Sequence, residues 1–497
     1  MQKPIILLLL CCVLFSCEKS KEKSIRFTPT FTISTETTHT IPAGQEYTFG
    51  YLEVLENREK PAGKTIQLPV YIFKSRSNNP KPDPIIYTVG GPGNSTMRSA
   101  QYMKYYQYLD DRDVILFEQR GTEFAKPSLD CPAWSEAIYK SNFPEYNEAK
   151  RDSLLEAAAR TCRERLIAQG VDLNSYNTNA IAADIEDLRK VLHIEKYNLL
   201  TISYSTKIAQ VLLRDYPTPI RSVVMDSPLP LEVNYEEESV GNLLEVVTML
   251  LSDCEEDEKC AEKFPNIKNR FFQYLRDATE NPLQVTVTNP NTGKPATFHL
   301  QGKDLITVFT VTNSNNSAYV PNEIQKLLNN DLSSVKAQLE SLFDRPTQFS
   351  GSGMGMRLSV WCAEEYPFAS KNIIVAEKTT YSEVLGLSPM VFEPNICGIW
   401  KVQPLKAIEN KAIQSDVPVL LLSGEYDHET PVKWASAMQK NLSNSYHLVF
   451  KGWTHTVTTN WGNPCGMEVA NAFFNNPNQK PQSKCFEAMQ ALEFVTE

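Results

Sequence analysis

Residues 197–213 read YNLLTISYSTKIAQVLL. A continuous apolar strand runs into Ser203, and helical spacing restarts at once in KIAQVLLRDY. A serine at so sharp a strand-to-helix turn holds its hydroxyl exposed above a sheet, the arrangement of a nucleophile elbow. The usual pattern sets Gly two residues before and two after the serine, where strand and helix backbones approach each other. Thr201 and Ser205 stand at those places here, both small but neither Gly, and Thr201 is β-branched. Taken alone, the stretch fits a Ser-rich loop after a strand as well as it fits an elbow.

The neighbouring sequence repeats the rhythm. Short apolar runs, each followed by a turn and a helical pattern, occur in PIIYTV before GGPG, DVILFEQ before RG, and IRSVVMDS before PLP. DVPVLLLSGEYD and SYHLVFKGWTH continue the series near the C-terminus, and YTFGYLEVLEN with GKTIQLPVYIFKS open it as a β-rich hairpin. Continuous apolar strands alternating with helices predict an α/β fold with a mostly parallel sheet covered on both faces. The rhythm breaks between 241 and about 405 into stretches such as GNLLEVVTMLLSD, which predict an inserted, mainly helical cap. The expected organisation is a core over 45–240, the cap over 241–405, and the rest of the core over 406–497.

Three further segments offer partners for Ser203. Gly90-Gly91-Pro92-Gly93 follows a strand end, where Gly brings backbone N–H groups close to a ligand. Pro92 has no N–H, so the amide of Gly91 is the expected oxyanion donor there, with the amide of Tyr204 as the second. Asp427 lies just past the buried run of VPVLLLSGEYDHETP, and His455 follows the strand signal of HLVFKGWTHT. Ser203, Asp427 and His455 come in the chain order of the α/β-hydrolases. Asp226, at the end of RSVVMD, is the second candidate acid. Among the six His, His455 alone stands in a loop after a C-terminal strand with Gly nearby, which makes it the expected base, while His447 falls inside an apolar strand and His428 directly follows the acid.

With these segments in order, the chain resembles the proline-iminopeptidase and tripeptidyl-aminopeptidase branch of the α/β-hydrolases. The likeness runs from Tyr47 to Cys485 through VGGPG, EQRGT, LDCP, SYNTNAIAADIEDLRKVL, SYST, RSVVMDS, WCAEEYPF and VPVLLLSGEYDHETP. The resemblance implies Ser203 as nucleophile, Asp427 and His455 as its partners, and Gly91 and Tyr204 as oxyanion donors. It also implies Glu364 as a carboxylate that pairs with a substrate's free α-amine, with Glu365 next to it. Val89 departs from the family's His before GGPG, and Glu118-Gln119-Arg120-Gly121 departs from its D-x-R-G, with Glu123 where Gly is common. These departures bear on substrate preference more than on fold. Arg120 reads as one half of a buried structural ion pair. The implied activity is that of a serine exopeptidase acting on short peptides through an acyl-enzyme, with no cofactor and no metal. An esterase or other acyl hydrolase on the same scaffold, and a non-catalytic peptide-binding lipoprotein, are the alternatives.

The N-terminus MQKPIILLLLCCVLFSC carries one Lys and an apolar run too short to span a membrane comfortably. It resembles a lipoprotein signal over 1–17, with Cys17 taking the lipid, followed by a flexible tether over 18–44. The expected location is therefore the bacterial cell envelope, anchored to a membrane and periplasmic or surface-exposed. Of the 11 Cys, the eight beyond this segment are even in number. Pairing of chain neighbours predicts the disulfides Cys131–Cys162, Cys254–Cys260, Cys362–Cys397 and Cys465–Cys485 in an oxidising compartment. No CxxC or HxxxH spacing suggests a metal. Lys and Arg number 49 against 59 Asp and Glu, and a net charge of −10 argues against nucleic acid as a partner. A monomer is expected.

Overall fold

The computed structural model describes residues 27–496 apart from 307, 308, 310–315, 347, 349, 351, 352 and 388–393. The expected signal segment and Cys17 lie outside the described residues. Among them the strands are β1 (Thr30–Ile33), β2 (Tyr47–Leu55), β3 (Thr65–Phe73), β4 (Lys81–Thr88), β5 (Arg112–Phe117), β6 (Tyr197–Ile202), β7 (Ile220–Asp226), β8 (Leu283–Thr288), β9 (Pro295–Leu300), β10 (Val419–Gly424) and β11 (Ser445–Phe450). All but β8 and β9 form one sheet in the order β1-β2-β3-β5-β4-β6-β7-β10-β11. Pairing is antiparallel from β1 to β5 and parallel from β5 through β4, β6, β7 and β10 to β11. The expected mostly parallel sheet is therefore present.

Period-two alternation divides the sheet's apolar residues between two cores. Ile86, Leu199, Val223 and Leu421 face one layer of helices. Ile85, Leu200, Val224 and Leu420 face the other. Every residue of β6 and β10 is buried, which explains why both read as unbroken apolar runs. The helix Ser205–Asp215 follows β6 after a single residue pair, Ser203-Tyr204, and buries nearly its whole length.

Part of the expected tether over 18–44 belongs to the sheet. Thr30–Ile33 adds to the sheet as β1, pairing Thr30 with Glu53 and Ile33 with Gly50. Phe31 packs against the core, and Thr38 and His39 donate backbone N–H bonds to the Tyr71 hydroxyl at 3.0 and 3.1 Å. The open edge of β2 explains the recruitment, since its unpaired N–H and C=O groups need partners.

Between β7 and β10 the chain builds the helices Tyr235–Glu256, Ile267–Glu280, Val320–Leu328, Ser333–Ser341, Met354–Glu364 and Lys371–Thr380. The β8–β9 hairpin joins them, a strand element that the helical pattern did not suggest. Leu243, Val247, Phe271, Val285 and Ile324 form a core of their own. Met354–Glu364 instead buries Met356, Leu358 and Val360 with the helices under the sheet, and so ties the insertion down. Cys131–Cys162, Cys254–Cys260, Cys362–Cys397 and Cys465–Cys485 are all bonded.

Candidate active site

Ser203 has a positive φ of 56°, a left-handed conformation that costs a non-Gly residue energy and persists only where its surroundings enforce it. Its N–H donates to Asp226 O at 2.9 Å, tying the turn to the end of β7. Ser205, at the place where Gly is usual, puts its hydroxyl to work in the turn. It accepts from Ile202 N–H at 2.8 Å and lies 2.8 Å from Thr88 O, to which it donates. Thr206 donates its hydroxyl to Ser203 O at 2.6 Å. The elbow is thus stapled by side chains as well as by backbone proximity.

Gly90 shows how close the second loop comes. A Cβ there would lie 2.7 Å from Ser203 Cβ and 3.0 Å from Tyr204 N, so only Gly fits. Gly91, with φ of 119°, follows immediately and faces the same cleft as Ser203. This brings the two expected oxyanion donors, Gly91 N and Tyr204 N, into adjoining segments. The motif at the end of β5 braces this loop. Glu118 accepts from Ser95 Oγ at 3.0 Å and Thr96 N at 2.8 Å, and burial pushes its carboxyl up to about 7. Gln119 donates to Thr88 Oγ1 at 2.9 Å and to Val89 O at 2.6 Å. Arg120 forms the buried ion pair read from sequence, with Asp184 at 2.6 Å.

His455 Nδ1 lies 2.8 Å from Asp427 Oδ2. Burial pushes the Asp427 carboxyl up, but the His455 charge and bond and the Thr430 hydrogen bonds overcome this and hold it below its usual range. Thr430 gives its N–H to Asp427 Oδ1 at 2.9 Å and its hydroxyl to Oδ2 at 2.7 Å. Desolvation lowers the pKa of His455, while Asp427, Glu429 and Asp226 together raise it to about 9. Glu429 stands 3.8 Å from Nε2, the ring nitrogen that Asp427 leaves free. Ser203, His455, Glu429, Gly91, Arg357 and Trp461 line one cleft of about 510 Å³.

The second candidate acid is occupied elsewhere. Asp226 accepts from Val457 N at 2.8 Å, Thr458 N at 2.7 Å and Thr458 Oγ1 at 2.6 Å, holding the loop that carries His455. His447 lies 3.0 Å from Ser423 Oγ in the sheet, and burial lowers it to about 4. His428 sits beside Phe309. Glu364 is not among the cleft-lining residues. Its carboxylate accepts from Thr178 N at 2.7 Å and from the Thr178 hydroxyl at 2.5 Å, at the start of helix Thr178–Val191. Glu365 pairs with Lys207 of the elbow helix, both buried. No group of three or more His, Cys, Asp or Glu is placed to hold a metal among the described residues. Thr430 and Glu429 lie inside the DHETP string that located Asp427, and the habit of Asp of accepting backbone N–H groups two and three residues on was the signal available for Thr430.

A family model described as TAP-like protein matches residues 387–485. The chain is 21% identical over 466 residues to serine protease Hip1 of Mycobacterium tuberculosis, covering 88% of this chain and 86% of that one. It is 28% identical over 188 residues to the tripeptidyl aminopeptidase of Streptomyces coelicolor, covering 36% of this chain and 34% of the relative. Among solved structures, proline iminopeptidase of Mycobacterium smegmatis matches at 13% identity and a TM-score of 0.38, over 83% of this chain and 96% of that one. With a strand-elbow-helix serine and an aspartate-bound histidine on this sheet, the chain has the α/β-hydrolase fold and is a serine hydrolase, similar over residues 387–485 to TAP-like proteins.

Proposed function

We propose that this protein is a lipid-anchored serine exopeptidase that removes N-terminal residues or short peptides from peptide substrates. The observation that carries the reading is the left-handed Ser203 in one cleft with the Asp427-bound His455. The relatives named serine protease and tripeptidyl aminopeptidase support a peptide as the acyl donor. Ser203 Oγ attacks the scissile carbonyl carbon while its proton passes to His455 Nε2, and the carbonyl π electrons move onto oxygen. The Gly91 and Tyr204 amides receive that oxyanion, each worth about 3 kcal/mol to the barrier. Collapse expels the leaving amine, which takes the proton back from His455, and leaves an ester on Ser203. Water then gives a proton to His455 and attacks the ester, and collapse releases the acid as His455 returns that proton to Ser203 Oγ. Asp427 holds the imidazole tautomer throughout and stabilises the imidazolium.

This reading assigns the free α-amine of the substrate to Glu364, whose carboxylate accepts from Thr178 in the described arrangement. Cys17 carries the lipid in this reading, and the protein works at the periplasmic or outer face of a bacterial membrane. Ser203→Ala is expected to abolish hydrolysis of aminoacyl amides and labelling by a fluorophosphonate while leaving the circular dichroism spectrum unchanged. Wild-type turnover in the variant removes Ser203 from the mechanism. Hydrolysis of simple esters with no cleavage of aminoacyl amides by the wild type replaces the peptidase reading with an esterase.

A further inference from the structure

The lining of the Ser203 cleft includes four aromatic rings that touch one another in a row. Tyr87 comes from the end of β4, Tyr102 from the 3-10 helix Thr96–Tyr105, Tyr106 from the end of that helix, and Trp461 from the loop that runs on from His455. Ring centroids lie 5.9 Å apart between Tyr87 and Tyr106, 5.3 Å between Tyr106 and Trp461, and 6.2 Å between Trp461 and Tyr102. Val89 and Ile202 add further apolar lining beside Ser203. Arg98, on the same helix as Tyr102, is paired with Glu123 at 2.7 Å.

The row divides by burial. Tyr87 and Tyr106 are closed to solvent, as core tyrosines are. Tyr102 is 47% exposed and Trp461 49%, and Tyr105, its centroid 6.4 Å from Trp461, is 57% exposed. A lone exposed ring is ordinary, but three in contact at the mouth of a catalytic cleft leave a patch of apolar surface of the kind that marks a binding site. Tyr and Trp suit such a patch, because each presents a large flat face at little cost in side-chain freedom.

The segments that carry these rings indicate what covers them. Helix Thr96–Tyr105 follows Gly90–Gly93, the loop of the Gly91 amide, and Trp461 shares its loop with His455. In the acyl transfer described above, His455 Nε2 hands its proton to the leaving amine. The residue that bears this amine therefore lies against the His455 loop. Arg357 and Glu429, the charged groups of the same cleft, come instead from helix Met354–Glu364 and the loop after β10.

We propose that Tyr102 and Trp461 form a subsite for an aromatic side chain on the residue that follows the scissile bond. The proposal rests on the peptidase reading and names the substrate class within it: peptides whose leaving residue carries a ring. That ring meets the exposed faces of Tyr102 and Trp461 in the edge-to-face or offset manner that aromatic pairs favour.

The test is acyl transfer, which reads the leaving side alone. An amine that intercepts the acyl-enzyme takes the place of the leaving residue, since its attack is the reverse of the expulsion step. The full chain is given the aminoacyl or tripeptidyl 4-nitroanilide that the wild type turns over fastest. Phenylalaninamide or glycinamide is added at equal free-base concentration, and coupled product is measured against hydrolysed acid. Phenylalaninamide is expected to capture the acyl group about tenfold better than glycinamide. Trp461→Ala and Tyr102→Ala should each lower that ratio about threefold, while Trp461→Phe retains most of it. The ratio cancels any damage that both amines share. Trp461→Gln and Tyr102→Gln stand in should an alanine variant fail to fold. A wild-type ratio near one overturns the subsite and leaves the peptidase reading intact, as does a ratio that either substitution leaves unchanged. A preference for phenylalanine confined to the acyl donor assigns the rings to the acyl side and overturns the proposal too. No turnover of any nitroanilide removes the peptidase reading, and the subsite with it.

Discussion

The ends of β7 and β10, neighbouring parallel strands, each place a buried aspartate beneath the cleft, and the two carboxylates behave as opposites. Asp226 is met by two backbone amides and the hydroxyls of Thr458 and Ser227, with no direct bond to a charged group, and burial outweighs these bonds and the more distant charge of His455 to raise its pKa. Asp427 is as deeply buried, yet the charged partner His455 and the Thr430 bonds bring it below the usual range. Depth is therefore not what separates a brace from a reacting partner. The chemistry of the donor is: amides fix a loop, while an imidazole bound to the aspartate suits it to the orienting role proposed above.

The largest effect is expected at Asp427. Asp427→Asn keeps the shape but favours the wrong imidazole tautomer, and kcat should fall by about 10⁴ with little change in melting temperature. Asp226→Asn should reverse that profile. Its amide turns an N–H toward donors, costing about 2 kcal/mol of stability in a denaturation curve, while kcat falls by about tenfold to a hundredfold through a misplaced His455 loop. Equal kinetic losses in the two variants would abolish the distinction between the strand ends. Thr430→Val removes one hydroxyl from Asp427 and keeps the N–H bond, so a loss of about tenfold in kcat is expected. The smallest effect belongs to Glu429. His455 must be neutral to accept the Ser203 proton, so kcat/KM should rise with pH toward about 9. Glu429→Gln removes a negative charge that favours the imidazolium, moving that limb to lower pH. The variant should be about twofold faster at neutral pH in dilute buffer, with the gain fading as salt is added. A limb unmoved at low ionic strength shows that Glu429 does not act on His455.

The same contrast explains what the sequence could and could not reveal. Asp427 and His455 stand in loops directly after apolar strands, in the order the resemblance expects, so chain order located them. Asp226 ends a strand too, and only the fold distinguishes it, because its partners Val457 and Thr458 lie more than two hundred residues further along the chain. Ser205 looked like an eroded glycine. Its hydroxyl instead satisfies Ile202 N–H and reaches Thr88 O, a long-range bond that no local pattern announces. Glu118 and Gln119 likewise looked like departures from a motif, and their contacts run to the loop after β4. The strand at Thr30–Ile33 was hidden for another reason: four residues of mixed polarity carry too little periodicity, and the open edge of β2 supplies the pairing.

The Lys207–Glu365 pair has a consequence for anyone who would transplant the inserted block. Lys207 belongs to the elbow helix and Glu365 to the insertion, and both side chains are 2% exposed. A chimera that exchanges the insertion alone strands an ammonium in the interior beneath the serine, a loss of about 3–5 kcal/mol. The two positions must therefore travel together, so that the nucleophile helix and the roof above it form a single unit of exchange although more than 150 residues of chain separate them.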